Sequence, residues 1–407
     1  MRCGLLGKKL GHSYSPQIHS HLGDYSYDLF EKTPDELENF VKCGDFAGLN
    51  VTIPYKKDVI PYCDKLSDRA KAQGAVNTIV RQADGTLIGH NTDYFGFDSM
   101  LKRTGIQVAG KKVLVLGSGG ASATVVSVLH QHSAEVVVIS RKGPNNYENL
   151  QLHTDTAVIV NATPVGMYPH VGVSPIDLDL FPNLVGVMDV IYNPSKTQLL
   201  LDAEKRGLIV ENGLWMLVAQ AKESAEWFAD RKISDDVIAN IHAILSRQME
   251  NIVLIGMPGC GKSTIGRILA ETLGKQFIDA DVEIVRKAGI SIPEIFEKYG
   301  EGGFRTIETK VLSELGMQSG LVIATGGGCV TRPENYPLLH QNGRIIWVQR
   351  EISKLPTDGR PLSQQNKLET MYNIRKPLYE KFSDYSILND GSISETITAI
   401  LQKEGYQ

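Results

Sequence analysis

The chain has 407 residues, 42% of them apolar and 22% charged, a length and composition that suggest about two or three folded domains. A net charge of −4 and a pI near 6.2 give no reason to expect nucleic acid, and no apolar run approaches the roughly 18 residues of a membrane span. The five cysteines, Cys3, Cys43, Cys63, Cys260 and Cys329, are scattered without a C-x-x-C pair, which excludes a disulfide or zinc framework and fits a reducing cytosol.

Arg2 to Leu6 reads as a short strand entering a turn, not as a signal peptide. Gly11-His12-Ser13-Tyr14-Ser15-Pro16 follows, and proline at 16 predicts a helix start nearby. Ser13 and Ser15 serve either as helix caps, which needs only one of them, or as a pair of hydroxyls donating to an anion. Leu49, Val51 and Ile53 alternate with polar residues and predict a half-buried strand that Pro54 ends. That strand delivers Asn50, Thr52 and Lys56 to one end; alone, Lys56 and Lys57 read as solvated charges. Gly74 to Thr78 opens another strand. Gly89-His90-Asn91-Thr92-Asp93 ends one and starts a helix, with Asp93 near its cap.

Lys111 to Leu116 predicts a buried strand that runs into Gly117-Ser118-Gly119-Gly120-Ala121-Ser122 and a helix from Ala121 to His130. The pattern is similar to a dinucleotide-binding turn, with Ser122 in the place of the third glycine. After the next strand, Glu135 to Ile139, come Ser140-Arg141-Lys142: two cations where an NAD site usually carries an acid, which argues for NADP. Region 143–156 is poor in helix formers. Ala157 to Val160 and Val185 to Val190 are further strands, followed by Asn161-Ala162-Thr163 and by Tyr192-Asn193-Pro194. Region 111–211 therefore predicts a parallel sheet wrapped by helices. Helices are expected from Gly213 to Ala229, carrying Gln220, and from Ser234 to Met249, with a domain boundary near 248–250.

In this order, Ser13-x-Ser15-Pro16, Asn50-Val51-Thr52-x-Pro54-x-Lys56, Gly74-Ala75-Val76-Asn77-Thr78, Asn91-Thr92-Asp93, Asn161-Ala162-Thr163 and Gln220 resemble shikimate dehydrogenase over about residues 1–245. The resemblance implies a two-lobed α/β domain over 1–249. Its substrate lobe is 1–105 plus 212–249, and its Rossmann cofactor lobe is 106–211. It implies that Ser13, Ser15 and Thr52 hold the substrate, the serines at its carboxylate. Asn77 and Asp93 take the ring hydroxyls, helped by Asn50, Tyr192 and Gln220. Lys56 and Asp93 become the catalytic pair. Hydride reduction of a ketone leaves an alkoxide that needs a proton and a nearby positive charge; Lys56 can supply both while Asp93 holds it. NADP would lie on Gly117, Ser118, Gly119, Gly120 and Ala121, on Ser140, Arg141 and Lys142, and on Asn161, Thr163 and Gly213. The family's N-R-T-x-x-R motif departs here to Ser140-Arg141-Lys142-Gly143-Pro144-Asn145, which keeps only the first arginine.

Ile252 to Ile255 predicts a strand feeding Gly256-Met257-Pro258-Gly259-Cys260-Gly261-Lys262-Ser263, with a helical pattern from Thr264 to Leu273 behind it. Glycines let backbone N–H groups turn inward, and a helix N-terminus adds positive charge. Lys262 would reach the β- and γ-phosphates of ATP, and the Ser263 hydroxyl would sit on Mg²⁺. ATP would rest on Gly256, Gly259, Cys260, Gly261, Lys262, Ser263 and Thr264. Asp279 and Asp281 end the next strand and serve either a metal and a substrate hydroxyl or a helix cap. Gly300 to Arg305 precedes a helix containing Glu308. Leu321 to Ala324 is a buried strand ending in Thr325-Gly326-Gly327-Gly328, where three glycines let backbone approach a ligand. Arg344 to Val348 is a strand, 351–367 a polar mobile cover bearing Arg360, and Arg375 lies on or beside a helix.

This order resembles shikimate kinase over about 250–405 and implies a P-loop domain, 250–407, with a parallel sheet. The family reading puts Ser263 and Asp279 on Mg²⁺, and Asp281, Arg305, Gly327, Gly328 and Arg375 on shikimate. Lys262, Asp281 and Arg360 are then catalytic, with Asp281 accepting the attacking hydroxyl's proton and Arg360 swinging in over ATP with the lid. The lid departs from the family, since no arginine stands between Arg350 and Arg360. Together the resemblances imply a bifunctional cytoplasmic enzyme of aromatic amino-acid biosynthesis that makes shikimate 3-phosphate from 3-dehydroshikimate, NADPH and MgATP. The alternative is a dehydrogenase, quinate- or NAD-active, fused to a catalytically silent nucleotide sensor.

Overall fold

Short β-branched stretches build three sheets in the computed structural model, which describes residues 1–11, 13–355 and 365–406. Two sheets belong to one unit, Met1–Met167 with Val173–Tyr192 and Leu199–Ile244. The third belongs to a second unit, Leu245–Gln407 with the short stretches Tyr168–Gly172 and Asn193–Gln198.

The first sheet runs in the order Ser26–Glu31, Arg2–Gly7, Gly48–Val51, Thr78–Arg81, Leu87–His90, Lys65–Leu66. Its first three strands are parallel; Thr78–Arg81 runs antiparallel to both of its neighbours. The half-buried strand expected through Ile53 is instead Gly48–Val51, buried on both faces, and Ile53 is 78% exposed. The reason is tertiary. Leu49 and Val51 pack with Leu37, Val41 and Phe46, while helix Leu214–Ala229 covers the other face so closely that a Cβ at Gly48 would collide with Phe228. Asn50 is buried there because its amide is hydrogen-bonded on every side it presents to the interior.

The second sheet is wholly parallel, in the order Ile209–Glu211, Gly186–Asp189, Val158–Asn161, Lys112–Leu116, Glu135–Ile139. Helix Gly120–Gln131 follows its strand Lys112–Leu116. Between 143 and 156 the chain makes only a short 3₁₀ turn, Leu150–His153.

The third sheet is also parallel: Gln276–Asp279, Leu321–Ala324, Asn251–Ile255, Gly343–Gln349, Tyr385–Leu388. Its central residues, among them Val253, Leu254, Ile323 and Ile345, are fully buried, each stabilising the unit by about 1.5–3 kcal/mol. One helix boundary differs from expectation. Gly300 (φ 67°, ψ −177°) breaks the run Ile292–Gly316 in two, so a helix containing Glu308 does follow it, but that helix already takes in 301–305 and a second one precedes it. Ser291 and Glu294 form a reciprocal capping box, which starts the preceding helix well upstream of the glycines. Among the described residues, no helix is long and apolar enough to cross a membrane.

Candidate active sites

In the first unit a cleft of about 320 Å³ opens where the end of Gly48–Val51, the start of helix Asp93–Thr104 and helix Leu214–Ala229 meet. Ser13, Ser15, Asn50, Thr52, Lys56, Asn77, Asp93, Tyr192 and Gln220 all line it, so every residue expected at the first substrate is brought together. Lys56 Nζ donates to Asp93 Oδ2 at 2.6 Å, with the two side chains 30% and 16% exposed. Asp93 is the first residue of its helix and not the cap, which is Thr92. A carboxylate in a first turn is favoured by the helix dipole; this one's hydrogen bond goes to the lysine. Neither serine is a cap. The cap of helix Ser15–Ser20 is Tyr14, and the Ser13 hydroxyl accepts the Ser15 N–H at 3.2 Å. Tyr192 meets Tyr14 edge to face at 6.2 Å, and burial raises its phenol above the ordinary range.

Beneath the cleft, and reaching it at Asn50, lies a layer of polar side chains that the sequence revealed only in part. Tyr27 donates to Asn50 Oδ1 at 2.7 Å, and Thr78 and Ser224 complete the layer. His19 stacks on Tyr27 at 4.0 Å, and burial pushes its imidazole down to about 3. Asn50 and Thr78 stand in the motifs above, but nothing in the spacing of His19, Tyr27 and Ser224 marks them, since each reads alone as an ordinary core polar group.

The dinucleotide turn forms one wall. Gly117 has φ 104°, and a Cβ there would come within 3.0 Å of Thr163. Gly119 and Gly120, by contrast, face open space at the first turn of helix Gly120–Gln131, where backbone N–H groups are available to an anion. Ser122, in the third-glycine place, ties the turn by donating to Gly117 O at 2.7 Å. Ala121 and Gly213 line the cleft, and a side chain on Gly213 would collide with the Val190 carbonyl. Arg141 and Lys142 are exposed, and the Ser140 hydroxyl donates to Lys142 O at 2.8 Å. Asn161 is not brought to the cleft. It is fully buried; its Nδ2 donates to both oxygens of Asp189 at 3.1 Å, and its Oδ1 accepts from the Thr163 N–H and hydroxyl. Asp189 also accepts the Ile191 N–H, at 3.0 Å, and so fixes the chain leading to Tyr192. It went unread because it closes an apolar run.

In the second unit Gly256, Gly259 and Gly261 have φ of 141°, 84° and 103°, so the loop after Asn251–Ile255 requires glycine at each. Helix Lys262–Leu273 starts directly behind it, with Thr264 exposed in its first turn. Lys262 Nζ donates to Gly256 O at 2.9 Å and Met257 O at 3.0 Å. Asn389 supports the loop from outside, donating to Cys260 O at 2.8 Å while accepting from Thr396 at 3.0 Å. The Ser263 hydroxyl donates to Asp279 Oδ2 at 2.7 Å, and Asp279 Oδ1 accepts the Asp281 N–H at 3.0 Å. Asp279 is thus a helix cap and also one of two hard oxygen donors set side by side, a pair that suits Mg²⁺.

The glycine triplet explains itself through its neighbours. A Cβ on Gly326 would lie 2.9 Å from Asp281 and Glu308, and one on Gly327 would lie 2.6 Å from Pro258. On Gly328 it would collide with the Arg305 guanidinium. Arg305 is held by Glu308 at 2.8 Å and Glu301 at 3.3 Å. Burial raises the Glu308 carboxyl and Asp281 pushes it further up, while Arg305 and, more weakly, Arg375 pull it down, so Glu308 feels the charge of all three. Arg375 stands on helix Gln365–Phe382, and Tyr379 of the same helix donates to Gly327 O. Asp281, Arg305, Gly327, Gly328 and Arg375 therefore gather beside the phosphate loop. Asn389 and Thr396 were not anticipated, and Glu308 was expected on its helix but given no role. Arg360 lies outside the described residues.

Comparison with known proteins gives two family matches. Residues 5–79 match the shikimate dehydrogenase substrate binding domain, and residues 258–404 match shikimate kinase. The chain is 35% identical over 267 residues to a shikimate dehydrogenase (NADP(+)) of Clostridium beijerinckii, covering 61% of this chain and 98% of that protein. It is similar to the crystal structure of shikimate dehydrogenase 1 from Peptoclostridium difficile (40% identity, TM-score 0.55, 60% of this chain and 97% of that one). It is also similar to shikimate 5-dehydrogenase from Thermus thermophilus in complex with NADP(H) and shikimate (31%, TM-score 0.55, 60% and 98%).

Proposed function

We propose, for a chain that belongs to the shikimate dehydrogenase family, that its two sites act in series. The first, within 1–249, reduces 3-dehydroshikimate to shikimate with NADPH. The second, within 250–407, phosphorylates from MgATP the hydroxyl that the reduction created. The observation that carries the reading is the 2.6 Å Lys56–Asp93 pair, set in one cleft with Ser13, Ser15 and Asn77 beside a dinucleotide turn.

In the first site the two serine hydroxyls take the substrate carboxylate, and Asn77 and Asp93 take ring hydroxyls. Lys56 delivers a proton to the carbonyl oxygen as it becomes the alcohol, and Asp93 keeps the ammonium aimed at it. NADPH, when bound, supplies the hydride; the turn Gly117–Ala121 would hold its pyrophosphate, and Arg141 and Lys142 its 2′-phosphate. In the second site Arg305 and Arg375 pair with the shikimate carboxylate, and Asp281 accepts the proton of the attacking hydroxyl. ATP and Mg²⁺ supply the phosphoryl group and its charge neutralisation, on the loop Gly256–Thr264 and on Ser263 and Asp279. The five unpaired cysteines support a cytoplasmic setting.

The test uses the purified full chain. NADPH consumed on adding 3-dehydroshikimate, followed by shikimate 3-phosphate on adding MgATP, is the expected result. NADPH oxidation without shikimate-dependent ATP consumption would make the second unit a silent nucleotide-binding domain. Assaying shikimate and quinate each with NADP and NAD decides the cofactor and substrate preference.

A further inference from the structure

Ser224 stands on helix Leu214–Ala229 one turn beyond Gln220, fully buried beneath the cleft and not among the residues that line it. A hydroxyl carries one proton and two acceptor positions, yet this one has four partners within hydrogen-bond distance. Asn50 Nδ2 donates to it at 2.8 Å. The Thr78 hydroxyl is at 2.8 Å, the Thr92 hydroxyl at 3.0 Å and Gln220 O at 3.0 Å. These partners come from two strands of the first sheet, from the cap of the helix that starts at Asp93, and from Ser224's own helix.

The partners connect Ser224 to the groups that face the substrate. Asn50 Oδ1 accepts from Tyr27 and its Nδ2 is directed at Ser224 and Thr78, so this amide is an internal strut. Thr92 accepts from Asn77 Nδ2 at 3.0 Å and stands 3.4 Å from Gln220 Oε1, while its N–H donates to Asn77 Oδ1 at 2.8 Å. That leaves Asn77 one amide proton for the cleft. The Thr92 hydroxyl thus touches both amides that face the substrate, alongside the Thr92 N–H on Asn77 and Leu217 O on Gln220, and it lies 3.0 Å from Ser224.

We infer that Ser224 is a positioning residue of the first site: its hydroxyl sets the proton order of the buried Asn50–Thr78–Thr92 layer and so aims Asn77 and Gln220 at the ring hydroxyls of the substrate. The inference rests on the dehydrogenase reading above. Removing the hydroxyl strands the Asn50 N–H in a dry layer and frees Thr92 to reorient, which weakens recognition of the ring without touching the hydride or proton donors.

The experiment measures steady-state reduction of 3-dehydroshikimate by the full chain and by Ser224→Ala and Ser224→Cys, with thermal stability alongside. Cysteine fills the space but is a poor acceptor, so both variants should raise KM for 3-dehydroshikimate about tenfold, the size of one lost buried hydrogen bond. KM for NADPH and kcat should each stay within about threefold. A substrate analogue lacking the ring hydroxyl that Asn77 and Gln220 read should lose this discrimination between parent and variants. Ser224→Cys with parental KM would show that only volume matters at 224, and KM for NADPH rising in step with that for 3-dehydroshikimate would show a general structural role; either overturns the inference. A parent chain that fails to reduce 3-dehydroshikimate refutes the dehydrogenase reading itself, and this inference falls with it.

Discussion

Lys56 and Asp93 touch across a gap of 37 residues, each partly open to solvent on the cleft side. Lys56→Ala removes the proton source and its charge together, so turnover of 3-dehydroshikimate should fall by about two to four orders of magnitude, the usual scale of acid–base assistance. Near-parental turnover would detach this lysine from the chemistry. A second residue gives a prediction about pH. The Glu223 side chain is 14% exposed; one oxygen accepts from Arg69 at 2.9 Å, and the other is buried with no hydrogen-bond partner among the described residues. Burial is the main cause that pushes its carboxyl up to about 7 from 4.5. The folded state therefore keeps a proton that the unfolded chain releases, so this group costs stability progressively as pH rises from about 4.5 to about 7. Glu223→Gln should be closer to the parent in melting temperature at pH 4.5 than at pH 7.5, where it should be the more stable protein. Parallel melting curves at both pH values would contradict that account.

At the scale of elements, the glycine triplet after Leu321–Ala324 is the place where one methyl group decides the outcome. Arg305 cannot retreat easily, since Glu301 and Glu308 hold it and it is 9% exposed. Gly328→Ala should displace the guanidinium and lower kcat/KM for shikimate phosphorylation by roughly a hundredfold, as misplacement by about 1 Å does, with the reductase untouched. Parental kinase rates would mean that Arg305 is not held in its working position by this turn. How much was legible in the sequence also differs by element. The strand, loop and helix over 251–273 could be read directly, because an apolar run, glycines at fixed spacing and a helical pattern are all local signals. The reversal of Thr78–Arg81 in the first sheet could not, because strand direction depends on partners distant in sequence. Asp93 was undecidable between cap and catalyst, since a first-turn carboxylate satisfies the helix dipole in either role. Asn161 matched its motif yet is turned inward by Asp189, a partner no spacing rule identifies. Ser224 gave no signal at all: a serine on the buried side of a helix looks like any other small core residue.

In the whole molecule, the described site residues of each set lie inside one unit. Lys56 through Gln220 lie in the first, and Lys262 through Arg375 in the second. We therefore expect independent catalysis. Lys56→Ala should phosphorylate added shikimate at the parental rate, and Lys262→Ala should reduce 3-dehydroshikimate at the parental rate. A loss of the second activity in either variant would show that the sites share more than a chain.

The bond from Asn50 to Ser224 spans 174 residues, and that distance sets a timetable for biosynthesis. At about 5–20 residues per second, a ribosome needs roughly ten to thirty-five seconds after adding Asn50 before Ser224 is made. Throughout that interval the strand carrying Asn50 is without its covering helix, and the last strand of the parallel sheet coded between them, Ile209–Glu211, is made only near its end. Over that time the nascent chain must shelter an apolar edge and a set of unmatched amides and hydroxyls. That is where a holding chaperone would find its footing.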